Sequence, residues 1–203
     1  MSQQTLEVSQ QTLEVLEFPA SYAQRRLWLL DQLDPGAPPY NVPTATRLSG
    51  HLDALALERA LAEVVRRHES LRTTFAARAG EPVQRIHPHS DAPALLTTDL
   101  RHLGAQVREP EARRLAAEEA RAPFDLTRGP LWRAHLLRLD TTEYVLLLTL
   151  HHIVTDGWSM GVLFNELATL YAAYAAGTES PLAELPIQYA DYAVWQHEQA
   201  GGA

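Results

Sequence analysis

Tyr144–Ser159 reads YVLLLTLHHIVTDGWS. Its first seven residues carry no charge, and so short an apolar run, bounded sharply by polar residues, predicts a strand buried on both faces. The residues from Met160 to Ala176 follow as a helix, with Leu163, Phe164, Leu167, Leu170, Tyr171 and Tyr174 as its apolar surface. Gly177 is placed to end it. A strand, a polar junction and a helix in this order predict an α/β structure with ligand chemistry at the strand's carboxyl end.

Outward from this unit the chain reads as alternating elements. Ser21 caps a helix, YAQRRLWLLDQL, and Gln24 completes a capping box. Tyr22, Ala23, Leu27, Leu30 and Leu33 supply its apolar surface. Thr44–Leu48 is a strand, and Asp53 caps a helix over Ala54–Arg67 with Leu57, Leu61, Val64 and Val65 inward. Glu63 and Arg67 are spaced to pair on its flank. Strands at Leu71–Ala76 and Pro82–Ile86 meet in a turn at Gly80, with Pro82 at a strand start or edge. A strand at Leu95–Thr98, a helix over Glu111–Ala122 stopped by Pro123, a strand through His135–Leu139 and a last helix from Gln188 to Gln199 complete the series. The expected fold class is α/β, a mixed β-sheet flanked by helices in one lobe. Residues 1–17 form a flexible leader in which SQQTLEV stands twice, at Ser2–Val8 and Ser9–Val15; structure is expected from Phe18 to about residue 200.

Composition removes whole classes of chemistry. Every one of the 17 basic residues is Arg, and Cys is absent. There is no lysine for a Schiff base or phosphate loop, and no thiolate nucleophile or disulfide. The net charge of -8 speaks against a broad nucleic-acid surface. No apolar run reaches the length of a membrane span, and the amino terminus lacks a signal-peptide pattern. A cytoplasmic location is expected.

The candidate site is His151–Ser159. Adjacent strand residues point to opposite faces, so His151 and His152 have different tasks. An imidazole can accept a proton from an incoming nucleophile, and His152 is assigned that role. Asp156 can orient an imidazole or hold an arginine. Gly157 allows a tight turn or a close approach by substrate. Ser159 can cap the following helix; as a nucleophile it lacks the G-x-S-x-G elbow. His151, His152 and Asp156 are metal-ligand types, but the histidines diverge and no zinc-protease spacing exists, so no metal is expected. A His-His pair alone is more often structural than catalytic. Arg67 and Arg72, in Arg67–Phe75 (RHESLRTTF), can support the site through Asp156. Tyr189–Gln196 (YADYAVWQ) and Ser21–Trp28 (SYAQRRLW) read first as packing helices.

Together these four segments resemble, in order, the motifs of the condensation domains of nonribosomal peptide synthetases, with HHIVTDG matching their HHxxxDG signature. Tyr40–Pro43 and Phe124–Leu131 resemble linking family text. The resemblance covers Phe18 to Gln196, the amino-terminal half of such a domain. It implies a chloramphenicol acetyltransferase-like lobe and amide-bond formation. A donor acyl or peptidyl thioester and an acceptor aminoacyl thioester would each ride on a peptidyl carrier protein, tethered by phosphopantetheine. That cofactor belongs to the carriers, and none is bound by this chain. His152 is implied as the catalytic histidine, either abstracting a proton or positioning the amine, with His151 supporting. Asp156 is implied to pair with Arg67, or else Arg72, and Gly157 to line the tunnel near the thioester. Tyr22, Arg26, Trp158, Ser159, Tyr189 and Trp195 are structural or tunnel-lining.

Subtype follows in the same terms. TDGWS and the first motif look more like a domain joining L-residues than an epimerization or heterocyclization domain, and a fatty-acyl starter stays open. The second lobe is expected beyond residue 203, so the isolated lobe is expected to be inactive and prone to self-association. Two other readings are a non-catalytic carrier-binding scaffold and a small acyltransferase completed by dimerisation.

Overall fold

Seven strands and five α-helices emerge in the computed structural model, which describes residues 14–35, 37–89 and 95–201. In chain order they are β1 (Leu16–Pro19), α1 (Tyr22–Leu33), β2 (Asn41–Ser49), α2 (Ala54–Arg67), β3 (Thr73–Arg78), β4 (Glu81–Ile86), β5 (Leu96–Asp99), α3 (Ala105–Arg121), β6 (Trp132–Arg138), β7 (Glu143–His151), α4 (Gly157–Ala175) and α5 (Tyr189–Gly201). The α/β class holds. The strands divide between two sheets. A small antiparallel sheet has the order β1-β4-β3, and a four-stranded sheet has the order β2-β7-β6-β5. Only β5 and β6 run parallel, and α3 is the crossover that such a pair requires.

The larger sheet is built around β7. Its register with β2 runs from Asn41 opposite His151 to Ser49 opposite Glu143, and β6 pairs its other edge. Leu146, Leu148 and Leu150 face α2 and α4, where they meet Leu57, Leu61, Val64 and Leu167. Leu147 points the other way, onto Leu137, Leu139 and Ala112 beneath α3. Both faces of the strand are thus covered, as its uncharged run requires. Each buried leucine contributes about 1.5–3 kcal/mol relative to exposure. A third cluster joins Trp28 of α1, Phe75 of β3, Phe124, Leu131 and the post-strand residues Ile153 and Val154. It fixes the signature segment against the small sheet.

Several expectations change in detail. Residues Leu16 and Glu17 belong to β1, paired with Ile86 and Arg85, so order begins before Phe18. The repeat's residues 2–13 lie outside the described residues. The capping box at Ser21 is present. The buried residues of α1, though, are Gln24, Trp28 and Asp31, while Leu33 is 82% exposed. Gln24 can be buried because both ends of its amide are bonded, to the Ser21 N–H and to Gln84 Oε1. Helix α3 begins at Ala105 rather than Glu111 and carries Pro110 inside. Glu63 pairs with Arg66, because Arg67 turns inward. Gly80 and Ala79 make the β3–β4 turn with positive φ, and Gly177 closes α4 in the same region.

Candidate active site

A cavity of about 680 Å³ opens between α1, the segment after β7, the first turns of α4 and the stretch leading into α5. Ala23, Leu27 and Leu30, three of the apolar positions expected to pack α1, line it together with His152. Ala23 and Leu30 thus face the cavity rather than the core, while Leu27 also packs against the Trp28 cluster.

His151 and His152 diverge as their positions demand. The His151 ring is buried, and its backbone N–H donates to the Leu131 carbonyl at 2.9 Å. Its Nδ1 accepts the Ile153 N–H at 3.2 Å, and the Phe124 ring meets it edge-on at 6.1 Å. Burial first, and the neighbouring His152 second, push its pKa down to about 4. It is therefore neutral at physiological pH. His152 turns into the cavity. Its backbone N–H is held by the Tyr40 carbonyl at 2.8 Å, and its Nδ1 lies 2.7 Å from the Thr155 carbonyl. A carbonyl only accepts, so Nδ1 carries a proton, and in the neutral ring Nε2 keeps its lone pair. An imidazole in this tautomer can take a proton at Nε2.

Asp156 does not pair with an arginine. It is the N-cap of α4, its Oδ1 accepting both the Ser159 N–H and the Ser159 hydroxyl at 2.7 Å. Those bonds hold its carboxyl below the usual range. The cap is thus Asp156 and not Ser159. Exposed amides of the first turn lie within reach, whereas no arginine does. Arg67 instead grips Glu166 of α4, Nε to Oε2 at 3.0 Å and Nη2 to Oε1 at 3.3 Å, and donates to the Ala183 carbonyl at 2.8 Å. Arg72 donates to the His87 carbonyl at 2.6 Å and to Glu69 at 3.3 Å. The geometric reason is that the packing of α2 on α4 brings Glu166 beside Arg67. Burial raises the Glu166 pKa, but the bonds from Arg67 and His68 outweigh it and keep the carboxyl low.

Sequence reasoning does not reach Glu166 or His68. A signal for the first exists: Glu166 is the only charged residue in GWSMGVLFNELATLYAAYA. A lone acid within an apolar helix needs an internal partner.

The remaining expected residues scatter. Arg26, Trp158, Ser159 and Tyr189 line the cavity, with Tyr189 bonded to the Ser21 hydroxyl at 2.9 Å. Trp158 is 85% exposed. Tyr22 and Trp195 lie outside the lining: Tyr22 packs on His197 and Trp195 on Tyr192. Gly157 makes no tight turn; it is the first residue of α4, and a Cβ there would meet nothing within 4 Å. No packing within the chain excludes a side chain at that point. Among the described residues, no three His, Asp or Glu side chains gather in a way that could hold a metal ion. No helix among them is long and apolar enough to cross a membrane.

A histidine pair at a strand end thus borders a cavity on a two-sheet α/β lobe, and comparison with known proteins gives its family. The family model of the condensation domain matches residues 16–203, so the chain belongs to the condensation-domain family. It is 54% identical over 181 residues to chondramide synthase cmdD of Chondromyces crocatus, covering 89% of this chain and 5% of that protein. It is 50% identical to phosphinothricin tripeptide synthetase PhsC of Streptomyces viridochromogenes, covering 88% and 16%. Among solved structures, the first condensation domain of the calcium-dependent antibiotic synthetase with a substrate analogue superposes with a TM-score of 0.81 at 28% identity, over 93% of this chain and 45% of that one. The X-domain from teicoplanin biosynthesis superposes at 0.79 with 37% identity, over 91% and 38%. The chain therefore spans a small part of the curated relatives and under half of these solved chains.

Proposed function

We propose that this chain supplies the histidine-bearing wall of an amide-bond-forming site in nonribosomal peptide synthesis. The observation that carries the reading is the 2.7 Å contact of His152 Nδ1 with the Thr155 carbonyl at the cavity wall, which in the neutral ring leaves Nε2 as an acceptor. The acceptor substrate's α-amine attacks the carbonyl carbon of the donor thioester. A C–N bond forms and the C–S bond breaks. The proton lost by the amine passes to His152 Nε2 and then to the departing thiolate, so the products are an amide and a free thiol. His151 stays neutral behind it and shapes the loop through Ile153. Asp156 sets the start of α4 rather than touching the reacting atoms. Both substrates would arrive on phosphopantetheine arms of donor and acceptor carrier proteins.

The solved relatives run to more than twice the matched length, since this chain covers 45% and 38% of two of them. We assign the second wall of the site to a further lobe of that kind, with full turnover depending on both. A carrier-binding scaffold is the second reading, favoured by the 37% identity to the X-domain, which another solved structure pairs with the protein OxyB.

Intact-protein mass spectrometry of the acceptor carrier decides between them. The chain, alone and joined to a second lobe, is mixed with loaded donor and acceptor carriers. A mass gain equal to the donor acyl group, lost in His152→Ala, supports catalysis. Carrier binding without any gain, second lobe included, supports the scaffold.

A further inference from the structure

A second imidazole faces the same cavity. His68 closes the carboxyl end of α2 and lines the cavity wall. Its Nε2 lies 3.0 Å from Glu166 Oε2. An ionised carboxylate only accepts, so Nε2 carries a proton, and in the neutral ring Nδ1 keeps its lone pair. Among the described residues Nδ1 has no hydrogen-bond partner. The orientation is fixed from behind. Arg67, 4% exposed, holds both Glu166 oxygens and is itself anchored on the Ala183 carbonyl. Glu166 stands nine residues after Gly157, about 14 Å along α4. His68, at the end of α2, and His152, after β7, reach the cavity from different elements.

We propose that His68 Nδ1 is a second recognition point of the cavity, accepting a hydrogen bond from a secondary amide N–H of the tethered substrate, remote from the reacting atoms. The inference rests on reading the cavity as a condensation site. Two parts of such a substrate carry secondary amide N–H groups, the peptidyl chain and the pantetheine arm.

Calorimetric titration of the full chain tests this with two stable probes, tetraglycyl-pantetheine amide and dodecanoyl-pantetheine amide. The second has no N–H within its acyl chain. His68→Phe keeps a ring but no acceptor; His68→Asn keeps an acceptor near the Nδ1 position while losing the Glu166 contact. Phe is expected to weaken tetraglycyl binding about tenfold and Asn to restore most of it, the worth of one hydrogen bond. Thermal unfolding of each variant accompanies the titration. Weakening of the tetraglycyl probe alone assigns the contact to the acyl chain; weakening of both assigns it to the arm. Wild-type affinity in Phe, an Asn variant as weak as Phe, or no binding of either probe overturns the proposal. Probe binding that depends on His68, in a chain that makes no amide even with a second lobe, sinks the catalytic reading and leaves this contact standing.

Discussion

His151 and His152, neighbours in the chain, carry their ring protons on opposite nitrogens. His151 accepts the Ile153 N–H at Nδ1, which puts its proton on Nε2; His152 donates Nδ1–H to the Thr155 carbonyl, which leaves Nε2 bare. The division follows from the end of β7. One ring enters the apolar cluster with Phe124, and the next, one residue on, faces the cavity. A single step along the chain thus makes one histidine inert and the other available to substrate.

Stability should fall with acid between pH 6.5 and about 4, the window set by His151. In that range the unfolded chain binds a proton that the folded chain refuses, so unfolding becomes easier as pH drops. The stabilisation is complete above pH 6.5 and fully lost near 4, a change of about 3 kcal/mol. His87 and His135, also depressed by burial, act in the same direction. Urea unfolding across this window should show a smaller slope in His151→Asn, which keeps an acceptor for Ile153 but cannot titrate. An unchanged slope would contradict the assignment.

Asp156→Asn should cost under about 1 kcal/mol, because Asn caps helices nearly as well as Asp. Asp156→Ala should cost about 1–2 kcal/mol. Were Asp156 the partner of a buried arginine, the Asn variant would lose about 3–5 kcal/mol instead. Chemical denaturation of the two variants separates these cases.

Arg67→Ala should cost about 3–5 kcal/mol, since it leaves Glu166 and the Ala183 carbonyl without their charged partner. The adjacent Arg66→Ala, a half-exposed pair with Glu63 and Glu184, should cost no more than about 1 kcal/mol. Equal losses in urea titrations would show that Arg67 is not the buried tie.

Pro110→Ala should stabilise the chain by about 1–3 kcal/mol. Proline interrupts α3 without an N–H to donate, and its position is exposed, so alanine restores the bond without disturbing packing. A lower thermal midpoint in the variant would mean that Pro110 serves a packing role absent from this structure.

Much of the fold is legible in the sequence because local rules govern it. The Ser21 and Asp53 caps, the α2 stripe and the uncharged Tyr144–Leu150 run of β7 each follow from residues within one turn or one strand. Long-range partnership escapes such rules. β1 is invisible to them because four residues become a strand only when β4 lies beside them. The apolar face of α1 reads as core, while Ala23, Leu27 and Leu30 line a cavity that no periodicity distinguishes from a core. Arg67 reads as a flank partner of Glu63 or a support of Asp156, yet it is buried, and the packing of α2 on α4 brings Glu166 to it instead.

The most direct test of the account is the tautomer of His152. Nitrogen-15 correlation spectra of the imidazoles, at a pH of about 7.5, above the ordinary histidine range, read each ring nitrogen separately. The account predicts His152 protonated at Nδ1 with a bare Nε2, and His151 protonated at Nε2 and titrating only near about 4. A His152 ring protonated at Nε2, or a His151 that titrates near the ordinary value of 6.5, would contradict the division of roles on which the proposed chemistry depends.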